Sequence, residues 1–127
     1  MLKKLLTLGV VAAVVAVISG CSALETAQNF NGQDITTSGD QIAHISATTH
    51  GLYLLWIPLI TGSTTNIGMP AINEDSVSPT SLCNMVTAKA KAMGAKRVVD
   101  VVTTGSSANI MYVFSYKVAS ASGNAIK

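Results

Sequence analysis

Charged residues are scarce in this 127-residue chain, which has eight Lys and Arg and six Asp and Glu. Two of the bases, Lys3 and Lys4, lie at the N-terminus, and residues 21–127 hold six bases and six acids. No run of bases is long enough to neutralise several phosphates, so the sequence argues against nucleic-acid binding.

The residue types that usually build active sites are also few. His44 and His50 are the only histidines, and neither has a Cys or a carboxylate cluster nearby at ligand spacing, so we expect no metal site. No Gly-x-Ser-x-Gly elbow occurs, and the glycines do not match a phosphate loop. We therefore expect a protein that is not an enzyme and needs no cofactor.

The first twenty residues have the three zones of a secretory signal. Lys3-Lys4 are positive, Leu5–Ile18 is an apolar run, and the small residues Ser19-Gly20 precede Cys21. As a helix, Leu5–Ile18 would cover about 21 Å, which is short of a hydrocarbon core of about 30 Å. The sequence predicts a signal peptide over residues 1–20, removed on maturation.

The four residues Ile18-Ser19-Gly20-Cys21 resemble the lipobox of bacterial lipoproteins. The resemblance implies a diacylglyceryl group on the Cys21 thiol, cleavage before Cys21, and a fatty acid such as palmitate on the new amine. Each buried CH₂ contributes about 0.8 kcal/mol, so two or three chains hold a protein on a membrane. The alternative is an ordinary signal whose Cys happens to lie near the cleavage site.

The location within the envelope depends on the next residue. In Gram-negative lipoproteins, an Asp directly after the lipidated Cys tends to retain the protein in the inner membrane. This chain has Ser22 at that position, which resembles the pattern of lipoproteins sorted to the outer membrane. We expect a lipid-anchored protein of the cell envelope, on the outer membrane and facing the periplasm.

The rest of the chain is long enough for one domain. Residues 21–40 are polar and predict a flexible tether, residues 41–118 predict the folded domain, and the small polar residues 119–127 predict a fraying tail. With Cys21 modified, Cys83 has no partner for an intramolecular disulfide. We expect Cys83 to be a buried thiol, with an exposed thiol or an intermolecular disulfide as the alternatives.

The hydrophobic pattern predicts an α+β domain with a small, four-stranded, mainly antiparallel sheet and one helix, in the order β-β-α-β-β. The helix is expected to start after Ser78 as N-cap, with Pro79 in its first turn, and to end at Gly94. The strands are expected at 41–48, 52–59, 97–104 and 110–118, with turns at His50-Gly51 and 105–109 and a long loop over 60–77.

One helix can cover only one face of such a sheet. We expect either that the 60–77 loop folds over the second face or that this face is an association site. A small-ligand binder, the alternative function, would use an aromatic pocket beneath the loop, formed by Tyr53, Trp56, Tyr112 and Tyr116. Asp100 interrupts a run of valines, which predicts either a binding carboxylate or a residue that faces solvent or pairs with Lys, Arg or Tyr across the sheet.

Two further segments, together with the lipobox, carry a family resemblance. Gly51–Ile60 (GLYLLWIPLI) and Ala88–Asp100 (AKAKAMGAKRVVD) resemble the TRL-like lipoproteins, a group of small bacterial lipoproteins. The resemblance implies no catalytic residue. We therefore expect a non-enzymatic envelope lipoprotein that contacts an envelope protein or a second copy of itself, with a small-ligand binder as the alternative.

Overall fold

A computed structural model of the chain describes residues 1–19, 21–28 and 39–127. These residues form two helices and six strands: α1 (Leu2–Ser19), β1 (Ser22–Ala27), β2 (Gln41–Leu54), β3 (Ile57–Gly62), β4 (Pro70–Ile72), α2 (Pro79–Ala92), β5 (Arg97–Met111) and β6 (Phe114–Ile126). The predicted α+β class and antiparallel sheet are confirmed. The predicted count is wrong, because the sheet has six strands and not four, and there are two helices and not one.

All strand pairs are antiparallel, and the sheet order is β4-β3-β2-β6-β5. The long strands β2 and β6 form the centre and pair along their whole length. The other side of β2 is shared, because β1 pairs with His44–Thr49 and β3 pairs with Gly51–Leu54. β5 has β6 as its neighbour on one side and forms the opposite edge of the sheet.

Helix α2 follows from local signals and begins and ends as predicted. The Ser78 hydroxyl accepts a hydrogen bond from the Ser81 amide at 3.2 Å, and Pro79 is the first helical residue. At the other end Gly94 has a positive φ of 84° and donates to the Lys91 carbonyl, while the Ala95 amide donates to the Ala90 carbonyl. This pair of bonds is a Schellman motif, which favours Gly at that position.

The core lies between α2 and one face of the sheet. The helix buries Leu82, Met85, Val86 and Ala90. The sheet contributes mainly small residues: Ile45, Ala47, Ala119, Ala121 and Ala125. Small side chains on β6 leave room for the helix to pack against this face of the sheet.

Both predicted hairpin turns are in the wrong place. Strand β2 continues through His50-Gly51 and turns at Leu55-Trp56, and β5 continues through 105–109 and turns at Tyr112-Val113. Gly51 is a packing residue, since a Cβ there would lie 2.7 Å from the Val77 side chain. At both places pairing with a long neighbouring strand outweighs the local preference for a turn.

The predicted tail and tether are also corrected. Residues 119–126 do not fray but form half of β6, because their alternate alanines face the helix. Residues 22–27 do not form a tether but pair with β2 as β1. The predicted tether residues 29–38 lie outside the described part of the chain.

The 60–77 segment contains strand residues and covers the same face as α2. Its first residues complete β3, and Pro70–Ile72 form β4. Thr61 donates to the Glu74 carbonyl, and Thr49 donates to the Ser76 carbonyl. The expectation that this segment shields the second face of the sheet is therefore wrong.

Candidate functional site

Cys21, the predicted lipidation residue, directly precedes β1 and lies against the sheet. Its carbonyl accepts a hydrogen bond from the His50 amide at 3.0 Å. A Cβ on Gly62 would collide with the Cys21 carbonyl, so the end of β3 and the start of β1 meet backbone to backbone beside His50. The predicted attachment point is thus part of the folded domain.

Ser22 fixes this position further. The side chain is buried, with 4% of its surface exposed. Its hydroxyl donates to the Ser63 carbonyl at 2.6 Å and accepts from the Gly68 amide, which also approaches the Ser22 carbonyl at 3.0 Å. The residue after Cys21 is therefore held by the loop that joins β3 to β4.

The four aromatic residues of the predicted pocket are not brought together. Tyr53 is buried on the helix side of β2, whereas Tyr116 lies on the other face, opposite Leu52. Trp56 and Tyr112 are at the end of the sheet, in the two hairpin turns. The expected pocket beneath the 60–77 segment is therefore wrong.

Tyr53 has a structural role. Its hydroxyl donates to Asp75 Oδ1 at 2.6 Å, and Lys117 Nζ lies 4.1 Å from the centre of its ring. Burial raises the pKa of Tyr53 above its ordinary value, and the hydrogen bond and charge of Asp75 raise it further. Tyr53 therefore stays protonated and ties the segment after β4 to the sheet.

Tyr116 contacts a histidine on the second face. Its hydroxyl lies 2.9 Å from His50 Nδ1, and the two rings stack with centroids 5.9 Å apart. Since the His50 amide also holds Cys21, this pair supports the attachment point from the second face.

Asp100 is exposed, which is one of the expected alternatives, and it pairs across the sheet with Asn124. It lies in a β-bulge between Val99 and Val102 and has a positive φ of 53°. Its carboxylate accepts from Asn124 Nδ2 at 3.0 Å, and Asn124 Oδ1 lies 2.7 Å from His44 Nδ1. Asp is among the residues that tolerate this backbone conformation, which explains why it interrupts the valines.

Trp56 and Tyr112 belong to one apolar tip, formed by the turns Leu55-Trp56 and Tyr112-Val113. The Leu55 amide donates to the Val113 carbonyl at 2.7 Å and joins the two turns. An open cavity of about 300 Å³ lies there, lined by Leu55, Trp56, Asn109, Tyr112, Val113, Phe114 and Ser115. Only these two of the predicted binding residues share a site.

Two uncharged edges flank the sheet, and the sequence reasoning missed both. The β3–β4 edge comprises β3 and β4 with the turn before β3 and the loop between them, residues 55–72. The β5 edge comprises Val101–Met111, all exposed. No Asp, Glu, Lys or Arg occurs from Gln41 to Asn73 or from Val101 to Tyr116. That absence of charge was the available signal.

Other candidate chemistry is weak in the described part of the chain. No group of three or more His, Cys, Asp and Glu is close enough there to hold a metal ion. Cys83 is half-buried and packs against the core, so it is less buried than expected. Among the described helices, none combines the length and hydropathy needed to cross a membrane.

Comparisons with protein-family models, with curated proteins and with solved structures return no match to this chain.

Proposed function

We propose that the protein is a non-enzymatic lipoprotein of the bacterial cell envelope, anchored through lipid on Cys21 and acting through protein contacts. Support for the anchor comes from the signal-like residues 1–20 and the lipobox-like Ile18–Cys21. The resemblance to TRL-like lipoproteins also supports a lipoprotein. The Ser at position 22 favours the outer membrane, with the domain facing the periplasm.

The observation that carries the protein-contact function is the β5 edge. Edge strands are normally protected by charged residues, by proline or by short length. β5 is 15 residues long, and between Val101 and Met111 it has no charge and no proline. Its bulges lie at Val99/Val102 and Asn109/Met111, which leaves regular strand between them.

Such an edge presents unpaired backbone groups that a partner strand can satisfy. Strand addition gains its affinity from main-chain hydrogen bonds and its specificity from alternate side chains. The small residues Thr103–Ala108 leave the backbone accessible to a second strand. The partner is an envelope protein or a second copy of this chain.

The anchor is tested by the mass of the mature N-terminus. We expect an acylated Cys21 as the first residue, and we expect a Cys21→Ser variant to be unprocessed and unacylated. A Cys21→Ser protein that is still cleaved after residue 20 and still held in the membrane fraction would contradict the anchor.

The β5 edge is tested by placing a photo-crosslinking amino acid at Ser106 in cells. We expect a discrete protein adduct, and a second change, Val102→Lys, should weaken it because a charge protects the edge. The control is the same crosslinker at Ala88, which is exposed on α2. Equal adducts from Ser106 and Ala88, or none from Ser106, would contradict the proposal.

The cavity at the apolar tip favours a second candidate function, the binding of a small ligand. Its volume of about 300 Å³ is at the lower end of the range for ligand sites, and its aromatic lining is typical of them. Trp56 is the only tryptophan, so its emission in detergent reports binding directly. No change with any envelope metabolite in the protein, or an equal change in a Tyr112→Ala control, would exclude this function.

A further inference from the structure

We infer that the β3–β4 edge is a membrane-contact surface, which lies in the boundary between lipid head groups and acyl chains. This inference rests on the proposed lipidation of Cys21, and it adds an orientation that lipidation alone does not supply. The side chains that would enter the boundary are the exposed apolar residues of that edge: Trp56, Ile57, Ile67, Met69 and Ile72.

The apolar loop between β3 and β4 lies beside Cys21 and Ser22. Ile67 and Met69 flank Gly68, whose amide approaches both oxygens of Ser22. The Ser63 amide donates to the Met69 carbonyl at 2.8 Å and closes the loop. The exposed side chains of this loop are therefore neighbours of the residue that would carry the lipid.

The apolar surface continues along the edge away from Cys21. Ile72, 76% exposed, lies on β4 opposite Ile60. Trp56, 77% exposed, precedes the far end of β3. The six residues from Ile57 to Gly62 span about 17 Å of strand, so the surface is long enough to lie along a bilayer.

The proposed lipid-bearing residue is joined to the folded domain without a flexible linker. The Cys21 carbonyl is bonded to the His50 amide, and Ser22 is buried. Acyl chains on Cys21 would therefore hold Gly62 and the 63–69 loop at the membrane surface. Since attachment makes the contact intramolecular, each apolar side chain needs to contribute only a small free energy.

The absence of charge also favours contact with lipid. The β3–β4 edge carries none, so its insertion does not require a charged group to lose water. The next charged residues along the chain are the acidic Glu74 and Asp75, and the bases Lys89 and Lys91 lie on α2. Anionic lipid therefore does not attract this edge, and the apolar side chains are the source of the contact.

The test uses the full-length protein, expressed and lipidated in cells and reconstituted into vesicles of phosphatidylethanolamine and phosphatidylglycerol. A part of the phosphatidylethanolamine carries bromine at a shallow acyl position, which quenches nearby tryptophan. We expect blue-shifted Trp56 emission and strong quenching that does not increase with the phosphatidylglycerol content.

Two matched variants locate the contact. Met69→Glu adds a charge at a residue that is 59% exposed on the β3–β4 edge, and Val102→Glu adds one at a residue that is 58% exposed on β5. We expect Met69→Glu to at least halve the quenching and Val102→Glu to leave it unchanged. Circular dichroism confirms that both variants fold.

The outcomes separate the two proposals, because the N-terminus of the same sample is analysed by mass spectrometry. If Cys21 is acylated but Trp56 is not quenched, the proposed orientation is overturned and the lipid anchor stands. If Trp56 is shielded from water but not quenched by bromine, a protein covers this edge, and the proposed orientation is again overturned. Equal effects of the two variants also overturn it. An unmodified Cys21 overturns the proposed function, and the orientation with it.

Discussion

The β3–β4 edge and the β5 edge are both exposed and uncharged, yet they offer different chemistry. The β3–β4 edge presents large apolar side chains, and its outer strand β4 is only three residues long and contains Pro70, which lacks an amide donor. The β5 edge presents small residues along a strand of 15 residues, so its backbone is the accessible part. Exposure alone therefore does not identify the partner of an edge.

The difference follows from what each partner can satisfy. A bilayer accepts apolar side chains but offers no partner for an unpaired amide or carbonyl group. A second β-strand forms hydrogen bonds with those groups and does not require large apolar side chains. We therefore assign lipid to the β3–β4 edge and protein to the β5 edge, on opposite sides of the sheet.

The largest expected effect is a difference in unfolding free energy between a glycine substitution at each edge. Gly62→Ala should cost about 1–3 kcal/mol of unfolding free energy, because its Cβ overlaps backbone atoms of Cys21 and Ser22. The control Gly105→Ala on β5 meets only the Val118 carbonyl at 3.8 Å and should be neutral or stabilising. Urea unfolding of both variants measures this, and equal destabilisation would show that Cys21 is not packed against Gly62.

A smaller effect is expected when charge is added to one edge at a time. Val102→Lys should reduce the Ser106 crosslink about fivefold, because the added charge should weaken the free energy of partner binding by about 1 kcal/mol. The same variant should leave Trp56 quenching by brominated lipid unchanged. Ile72→Lys should have the opposite pattern. If either variant changes both signals, the two edges do not act separately.

An alkaline pH series sharpens the comparison further. The pKa of Tyr53 is raised on folding, so its contribution to stability is complete below its unfolded pKa of about 10 and is lost as the pH rises above that value. Since Tyr53 holds Asp75, the protection of backbone amides against hydrogen exchange above pH 10 should fall in residues 73–77 before it falls in β5.

Two variants check the origin of that pH dependence. Tyr53→Phe keeps the ring and removes the titrating hydroxyl, so this contribution to the alkaline loss of stability should disappear. Asp75→Asn removes the charge but not the burial, so the pKa of Tyr53 should fall only part of the way toward its ordinary value. An unchanged alkaline loss in Tyr53→Phe would assign it to another group.

The smallest effect is expected on the inner side of β5. The hydroxyls of Thr104 and Ser120 are 2.5 Å apart across β5 and β6 and are exposed. Thr104→Ala should therefore cost about 0.5 kcal/mol in urea unfolding, with Ser106→Ala as a control that removes no such pair. A cost above 2 kcal/mol (roughly the upper range for a hydrogen-bond partner) would mean that β5 is attached less firmly than its pairing with β6 indicates.

Local signals predicted α2 and failed for the turns. Ser78, Pro79 and Gly94 act within one turn of the helix, so their effect is readable in the sequence. The turn at Leu55 has a positive φ of 57° at a residue with no preference for it, and Gly51 is small because Val77 packs against it. Neither fact is visible without the neighbouring strands.

The candidate site also has features that the sequence predicted and features that only the structure revealed. The sequence singled out Cys21 and Asp100, the first by its lipobox-like context and the second by its interruption of the valines. Only the structure showed that Cys21 is hydrogen-bonded to His50, and that Asp100 occupies a bulge and pairs with Asn124. The aromatic pocket failed because a strand alternates its side chains between two faces, which sent Tyr53 and Tyr116 to opposite sides.

By itself, the sequence determined the α+β class, the limits of α2 and the absence of charge along both edges, since each depends on composition or on neighbours a few residues apart. The tertiary structure decided where β2 and β5 end, that the small residues of 119–126 belong to the core, and that Cys21 and the β3–β4 loop lie together. The physical reason is that strand pairing joins residues far apart in the chain, and its many hydrogen bonds outweigh local turn preferences.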